Sequence, residues 1–156
     1  MSNKSTQEMR KQFTKAQVDY LIAEDKYVKD IPPITTDGNY KVIVAIVCRK
    51  GDKNPGKSLV VNARVSIPVP GIPAQLPGVA LYWNGHRIRG IDREPWHDNP
   101  DGSKVLGWHE HLWSPEYEDS LVRSISEPKH KDMQGILKEA LKRWNIKILK
   151  EQMDLE

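Results

Sequence analysis

Imidazole is the side chain best suited to move protons or hold a metal near neutral pH. In this chain four of the five histidines lie between Trp83 and Trp113, with four of the five tryptophans. The densest part reads Asp92-Arg93-Glu94-Pro95-Trp96-His97-Asp98-Asn99-Pro100-Asp101-Gly102, followed by Trp108-His109-Glu110-His111-Leu112-Trp113. His109 and His111 alternate with other residues, so on a strand both imidazoles share one face while Trp108, Glu110 and Leu112 take the other. Two kinds of chemistry suit such a pair. Neutral imidazoles can ligate a divalent metal such as zinc, with a third ligand from His97 or Asp92 and an open position for water. Alternatively one histidine serves as base and another as acid in metal-free cleavage of a phosphodiester.

Which partners the pair meets depends on strand register. Asn99-Pro100-Asp101-Gly102 has proline and glycine where a type I turn followed by a left-handed glycine needs them. With a bulge at that turn, Asn99 pairs with Ser103, Arg93 falls opposite His109, Ile91 opposite His111, and Arg89 lies near Trp113. Without it, Asp92 falls opposite His109. A one-residue slip exchanges the faces. The first register, favoured by the turn chemistry, makes a basic surface on which Arg89 and Arg93 bind phosphate. The second makes a carboxylate–histidine site suited to metal, with His97, His109, His111 and Asp92 as ligands. Pro95 interrupts this strand.

The elements that carry these residues follow from periodicity. An opening helix is expected from the capping pattern Ser5-Thr6-Gln7-Glu8 and an apolar face of Met9, Phe13, Ala16, Tyr20, Ala23 and Tyr27, stopped by Pro32-Pro33. Tyr40 to Arg49 and Ser58 to Ile67 read as antiparallel strands around a turn at residues 51–56. The prolines at 68, 70, 73 and 77 mark a surface loop between sheet segments. Val79 to Trp83 and His86 to Ile91 form a hairpin about Asn84-Gly85, setting His86 beside Trp83 and placing Arg87 and Arg89 on the face of Tyr82. Lys104 to Trp113 and Glu118 to Ile125 are further strands. A closing helix presents Met133, Ile136, Leu137, Ala140, Leu141 and Trp144, is capped by Asn145, and leads to a short strand at Ile146 to Ile148. The expected architecture is a single α+β domain over residues 1–156: a mid-chain antiparallel sheet flanked by an N-terminal and a C-terminal helix, with residues 1–6 and 150–156 mobile.

Composition narrows the class of function. A net charge of +3 is only mildly basic, which permits nucleic-acid contact without demanding it. The single cysteine, Cys48, rules out an internal disulfide and sits in an apolar run as a buried, inert thiol. No stretch approaches the roughly 20 apolar residues of a membrane span, and the N-terminus has no apolar signal core. A cytoplasmic location follows. His130 reads as a surface residue, and the tryptophans as packing groups.

The combination of Asp92, His97-x-Asn99-Pro100-Asp101-Gly102, His109-x-His111 and Trp113 resembles a prokaryotic domain family similar to the TumE-like toxins of toxin–antitoxin pairs. The resemblance spans roughly Arg89 to Trp113. It implies a small cytoplasmic protein acting on RNA and held by an antitoxin partner. Three readings stand on the same residues. One is a toxin-like RNA nuclease using His109, His111 and His97, with Arg89 or Arg93 on phosphate. Another is a metal-dependent hydrolase. The last is a non-catalytic module that binds a protein.

Overall fold

In a computed structural model, residues 13–52 and 58–154 are described. Thr14 starts the first helix, α1 (Lys15–Ala23): its hydroxyl accepts from the Gln17 N–H, and the Gln17 side chain accepts from the Thr14 N–H. This is a capping box later in the chain than expected; Ser5-Thr6-Gln7-Glu8 lies outside the described residues. The buried side of α1 is Val18 and Leu21, whereas Tyr20 is 69% exposed. The expected face of Ala16, Tyr20 and Ala23 is therefore corrected. The helix also ends before Tyr27, which belongs to strand β1 (Lys26–Val28). The cause is a strong stop. The buried Lys26 ammonium donates to the carbonyls of Leu21, Ile22 and Glu24 at 2.6, 3.0 and 2.7 Å, taking the acceptors that a further turn would need. Burial pushes the Lys26 ammonium down to about 8.

The remaining strands are β2 (Thr35–Asp37), β3 (Tyr40–Ile46), β4 (Cys48–Arg49), β5 (Leu59–Ser66), β6 (Gly78–Trp83), β7 (His86–Asp98), β8 (Lys104–Ser114), β9 (Glu118–Ser124) and β10 (Ile146–Ile148). Helix α2 covers Met133–Arg143 and a short α3 covers Leu149–Asp154, in the stretch expected to be mobile. Seven strands form one sheet in the order β2-β3-β5-β6-β7-β8-β9, every neighbouring pair antiparallel. A smaller sheet has the order β10-β1-β4. The run from Tyr40 to Arg49 is thus two strands, not one: Cys48 and Arg49 leave the large sheet and pair with β1. Cys48 is buried, as expected. The class is α+β with a large antiparallel sheet.

The two faces of that sheet differ. Ile43, Ala45, Leu59, Val61, Ala63, Val79 and Leu81 point to one side and pack with Val18 and Leu21 of α1 and Ile136, Leu137, Ala140 and Leu141 of α2. Each valine, leucine or isoleucine among them contributes roughly 2 kcal/mol on burial, and each alanine less than half of that. The opposite face carries Asn62, Arg64, Ala80, Tyr82 and Asp92, set by alternation along the strands. The proline-rich stretch 67–77 holds no strand, in keeping with a loop. At the hairpin between β6 and β7, Asn84 and Gly85 both adopt positive φ, 49° and 82°, as a type I′ turn requires, and Trp83 pairs with His86. Asn145 also has a positive φ, 60°; its side-chain amide donates to the Ala23 carbonyl at 2.8 Å, joining the ends of α1 and α2. Among the described residues no helix is long and apolar enough to cross a membrane.

Candidate metal centre

The turn at the tip of the β7–β8 hairpin forms as its residues dictate. Asn99 N–H donates to the Ser103 carbonyl at 2.8 Å, Gly102 N–H to the Asn99 carbonyl at 2.9 Å, and Gly102 adopts a φ of 88°. From there His97 pairs with Val105 and Asp98 with Lys104. Continued inward, this register would set Arg93 opposite His109. It does not continue. Between Glu94 and His97 the ladder shifts by one residue, Pro95 and Trp96 standing against Leu106 alone. Pro95 has no N–H to give to the ladder, which suits it to a bulge. Beyond the bulge Asp92 pairs with His109 and Gly90 with His111. The favoured register holds at the turn and is overturned at the histidines.

This bulge assembles the site. Asp92 and His97 are an odd number of residues apart and would face opposite ways on a regular strand. The extra residue turns both toward His109 and His111. The ring of His97 lies 5.5 Å from that of His109 and 5.4 Å from that of His111, and the latter two are 5.0 Å apart. A second bulge in β7, at Ile88, pairs Leu81 with Arg89 but Tyr82 with Arg87. Arg87 therefore shares the histidine face, and Arg89 does not. Arg89 is buried on the helical side, donating to the Ile88 carbonyl and to Asp19 of α1. Arg93 pairs with Trp108, on the face away from the histidines. Neither side chain points to the histidine face: Arg89, expected to bind phosphate there, is taken up by Asp19 and the Ile88 carbonyl, while Arg93 lies in the lining of the groove next to Asp92. His130 lies outside the cluster, exposed in the segment before α2.

Each of the three histidines has one ring nitrogen committed to the backbone. His109 Nδ1 meets the Gly107 carbonyl at 2.9 Å, His111 Nδ1 the Asp119 carbonyl at 2.9 Å, and His97 Nε2 the Ser120 carbonyl at 2.8 Å. A carbonyl only accepts, so these nitrogens carry the protons. Arg87, 3.3 Å from His111 Nδ1, is then a neighbour of that nitrogen, and its hydrogen bond goes to Asp119 at 2.7 Å. In the neutral rings the other nitrogens present lone pairs. Those of His109 and His111 aim at Asp92: Nε2 of His109 lies 2.5 Å from Oδ1, and Nε2 of His111 lies 3.4 Å from Oδ2. Close as they are, His109 Nε2, His111 Nε2 and Asp92 Oδ1 are all buried without an aligned hydrogen bond. Asp92, His109 and His111 thus offer ligand atoms within 4.8 Å of one another, and so do Glu94, His97 and His109.

Charge balance agrees with this geometry. Burial alone would raise the Asp92 carboxyl, yet His111, His109 and Arg87 hold it below the usual carboxylate range. Burial would lower His111, but Asp92 and the Asp119 carbonyl outweigh it and raise it. Asp92 and His111 thus stabilise each other's charged forms. A proton or a metal ion between them would be held by the same charges.

The tip of the hairpin closes over the cluster. Asn99 accepts from the Val122 N–H at 2.8 Å and donates to the Val122 carbonyl at 3.0 Å. With His97 on Ser120, it carries the end of β7 past β8 onto β9. His109 is fully buried, while Asp92 keeps partial exposure. The sequence marks Asn99 as a turn residue; its bonds to Val122 of β9 arise only in the fold. Arg87 and Asp119 were missed as parts of the site, because only the Ile88 bulge and the edge strand β9 bring them there. Comparison with protein-family models, curated proteins and solved structures finds no match.

Proposed function

We propose that the chain is a metal-dependent hydrolase, with a zinc-class ion held by His109 Nε2, His111 Nε2 and Asp92, and with His97 and Glu94 at its margin. One observation carries this reading: His109 Nε2, His111 Nε2 and Asp92 Oδ1 are buried without a hydrogen-bond partner, and the three residues offer ligand atoms within 4.8 Å of one another. Imidazole nitrogens oriented by Nδ1–H bonds to carbonyls are the usual outer support of a ligating histidine. Two imidazoles and a carboxylate suit zinc, iron, cobalt or nickel better than calcium or magnesium. Bound there, such an ion supplies a water acidified to a pKa of about 7 as nucleophile. The exposed side of Asp92 is the direction from which water and substrate enter.

Metal-free acid–base catalysis by the same histidines is the weaker reading. A general base needs a free lone pair facing substrate, whereas here all three face a carboxylate, His97 that of Glu94 and the other two that of Asp92. The wider expectation, a cytoplasmic toxin-like protein acting on RNA and paired with an antitoxin, belongs to the proposal through the resemblance around Asp92 to Trp113. The test is cleavage of RNA and of an activated phosphodiester by purified protein. Chelation is expected to abolish turnover and zinc, cobalt or manganese to restore it, with His109→Ala inactive throughout. Turnover indifferent to chelator would overturn the metal reading.

A further inference from the structure

The helix-free face of the large sheet continues away from the metal centre as a groove of about 860 Å³. Its lining includes Tyr40, Asn62, Arg64, Gly78, Tyr82 and Asp92. We propose that this groove seats a phosphate-bearing substrate, with Arg64 as its anion anchor and the space above Gly78 as the passage to Asp92. The proposal rests on the metal-dependent reading of the same site and names the substrate class.

Three observations carry it. Arg64 pairs with Gly78 across the β5–β6 ladder, and a Cβ built on Gly78 would lie 3.4 Å from the Asp92 Cβ. Arg64, Gly78 and Asp92 therefore stand in one row on one face, and neighbouring strands are about 4.8 Å apart, so the backbones of Arg64 and Asp92 are roughly 10 Å apart. The row is empty at its middle. Gly78 does not have a positive φ, so its backbone does not require glycine; a Cβ there would already touch the Asp92 Cβ and the Ile91 carbonyl oxygen at 3.4 Å, so any larger side chain would crowd Asp92. Next, the Arg64 guanidinium lies over the Tyr40 ring, 3.4 Å from its centroid, and no carboxylate among the described residues pairs with it. Stacking fixes the plane of the fork and leaves its N–H edges for a ligand, the arrangement that suits bidentate phosphate binding. Arg87, by contrast, is occupied by Asp119. Finally, the buried Asn62 Oδ1 in the same lining has no hydrogen-bond partner; as an acceptor it suits a hydroxyl or N–H of the group that carries the phosphate, not the phosphate itself.

An ester phosphate could come from a mononucleotide or from a nucleic-acid strand. The experiment is calorimetric binding to the zinc-loaded full chain of four probes: inorganic phosphate, adenosine monophosphate, a six-nucleotide RNA, and citrate as a carboxylate control. Arg64→Ala is expected to weaken the phosphate probes by about tenfold or more, the scale of losing charge-assisted hydrogen bonds, with bound zinc unchanged and Arg64→Lys recovering part of the loss. Gly78→Val should obstruct the two nucleotide probes more than inorganic phosphate. Tighter binding of the RNA or of the mononucleotide assigns the source, and either supports the proposal. Affinities unchanged in Arg64→Ala, or citrate held as well as phosphate in an Arg64-dependent way, would overturn it. Repeating the titration on the zinc-free protein separates the two readings: if the chain holds no zinc the metal assignment fails, while Arg64-dependent phosphate binding still decides this one.

Discussion

Strand β8 buries acidic or basic side chains on both faces, and the two faces treat them oppositely. Glu110, only 1% exposed, points to the helical side and has its acceptors filled. Arg123 donates from Nε at 2.8 Å and approaches through a second guanidinium nitrogen at 2.6 Å, and Trp144 Nε1 donates to the other oxygen at 2.7 Å. Arg143 stands a further 3.6 Å away. The adjacent His109 and His111 point to the other side with their outward nitrogens satisfied and their inward ones left facing Asp92. A buried polar group with every partner in place ties elements together; here Glu110 clasps the end of α2 to β8 and β9. A buried group with partners on its outer side only calls for a further partner, which the proposal assigns to a metal ion.

The contrast breaks first at the histidines. His109→Ala is expected to lower zinc affinity by more than about a hundredfold, exceeding the cost of losing an outer-shell partner, with little loss of fold stability beyond its packing. Metal content after gel filtration measures it. Deleting Trp96 comes next. Without the bulge, Asp92 and His97 can no longer face the histidines together, and zinc affinity should fall by about 10- to 100-fold while the circular dichroism of the sheet persists. Zinc binding unchanged by that deletion would show that the bulge does not set the site.

Glu110→Gln tests the other face. Stranding the charge partners of a buried carboxylate should cost about 2 kcal/mol in chemical denaturation and leave zinc binding as it was. If instead Glu110→Gln removes zinc, the two faces are not independent. The smallest effect is expected at Asn99→Ala, about 1–2 kcal/mol for two bonds to Val122, with a faster exchange of the Val122 amide.

Local chemistry made much of this legible. The Asn84-Gly85 hairpin, the Asn99-to-Gly102 turn, the apolar stripe of α2 and the cap at Asn145 each follow from residues whose conformational preferences act within a few positions. The shared face of His109 and His111 needed only the two-residue period of a strand. What could not be read was cumulative. Turn chemistry gave the right pairing at Asn99 and Ser103, but a bulge two residues past His97 reversed its consequence at Asp92. The same kind of event at Ile88 moved Arg89 to the core and brought Arg87 to the site. Faces propagate along a strand only until the first inserted residue, and β7 has two. Helix α1 failed differently: its start and stop come from Thr14 and Lys26, and the tertiary position of Lys26 is invisible to periodicity.

On the proposed reading, the space between Asp92, His109 and His111 belongs to a metal ion rather than to a shared proton. Calorimetric titration of zinc into chelator-stripped protein, with His109→Ala alongside, separates the two. One equivalent of zinc bound per chain by the wild-type protein, and none by the variant, is the predicted result. No zinc-dependent heat in the wild type, or equal binding in the variant, would contradict it.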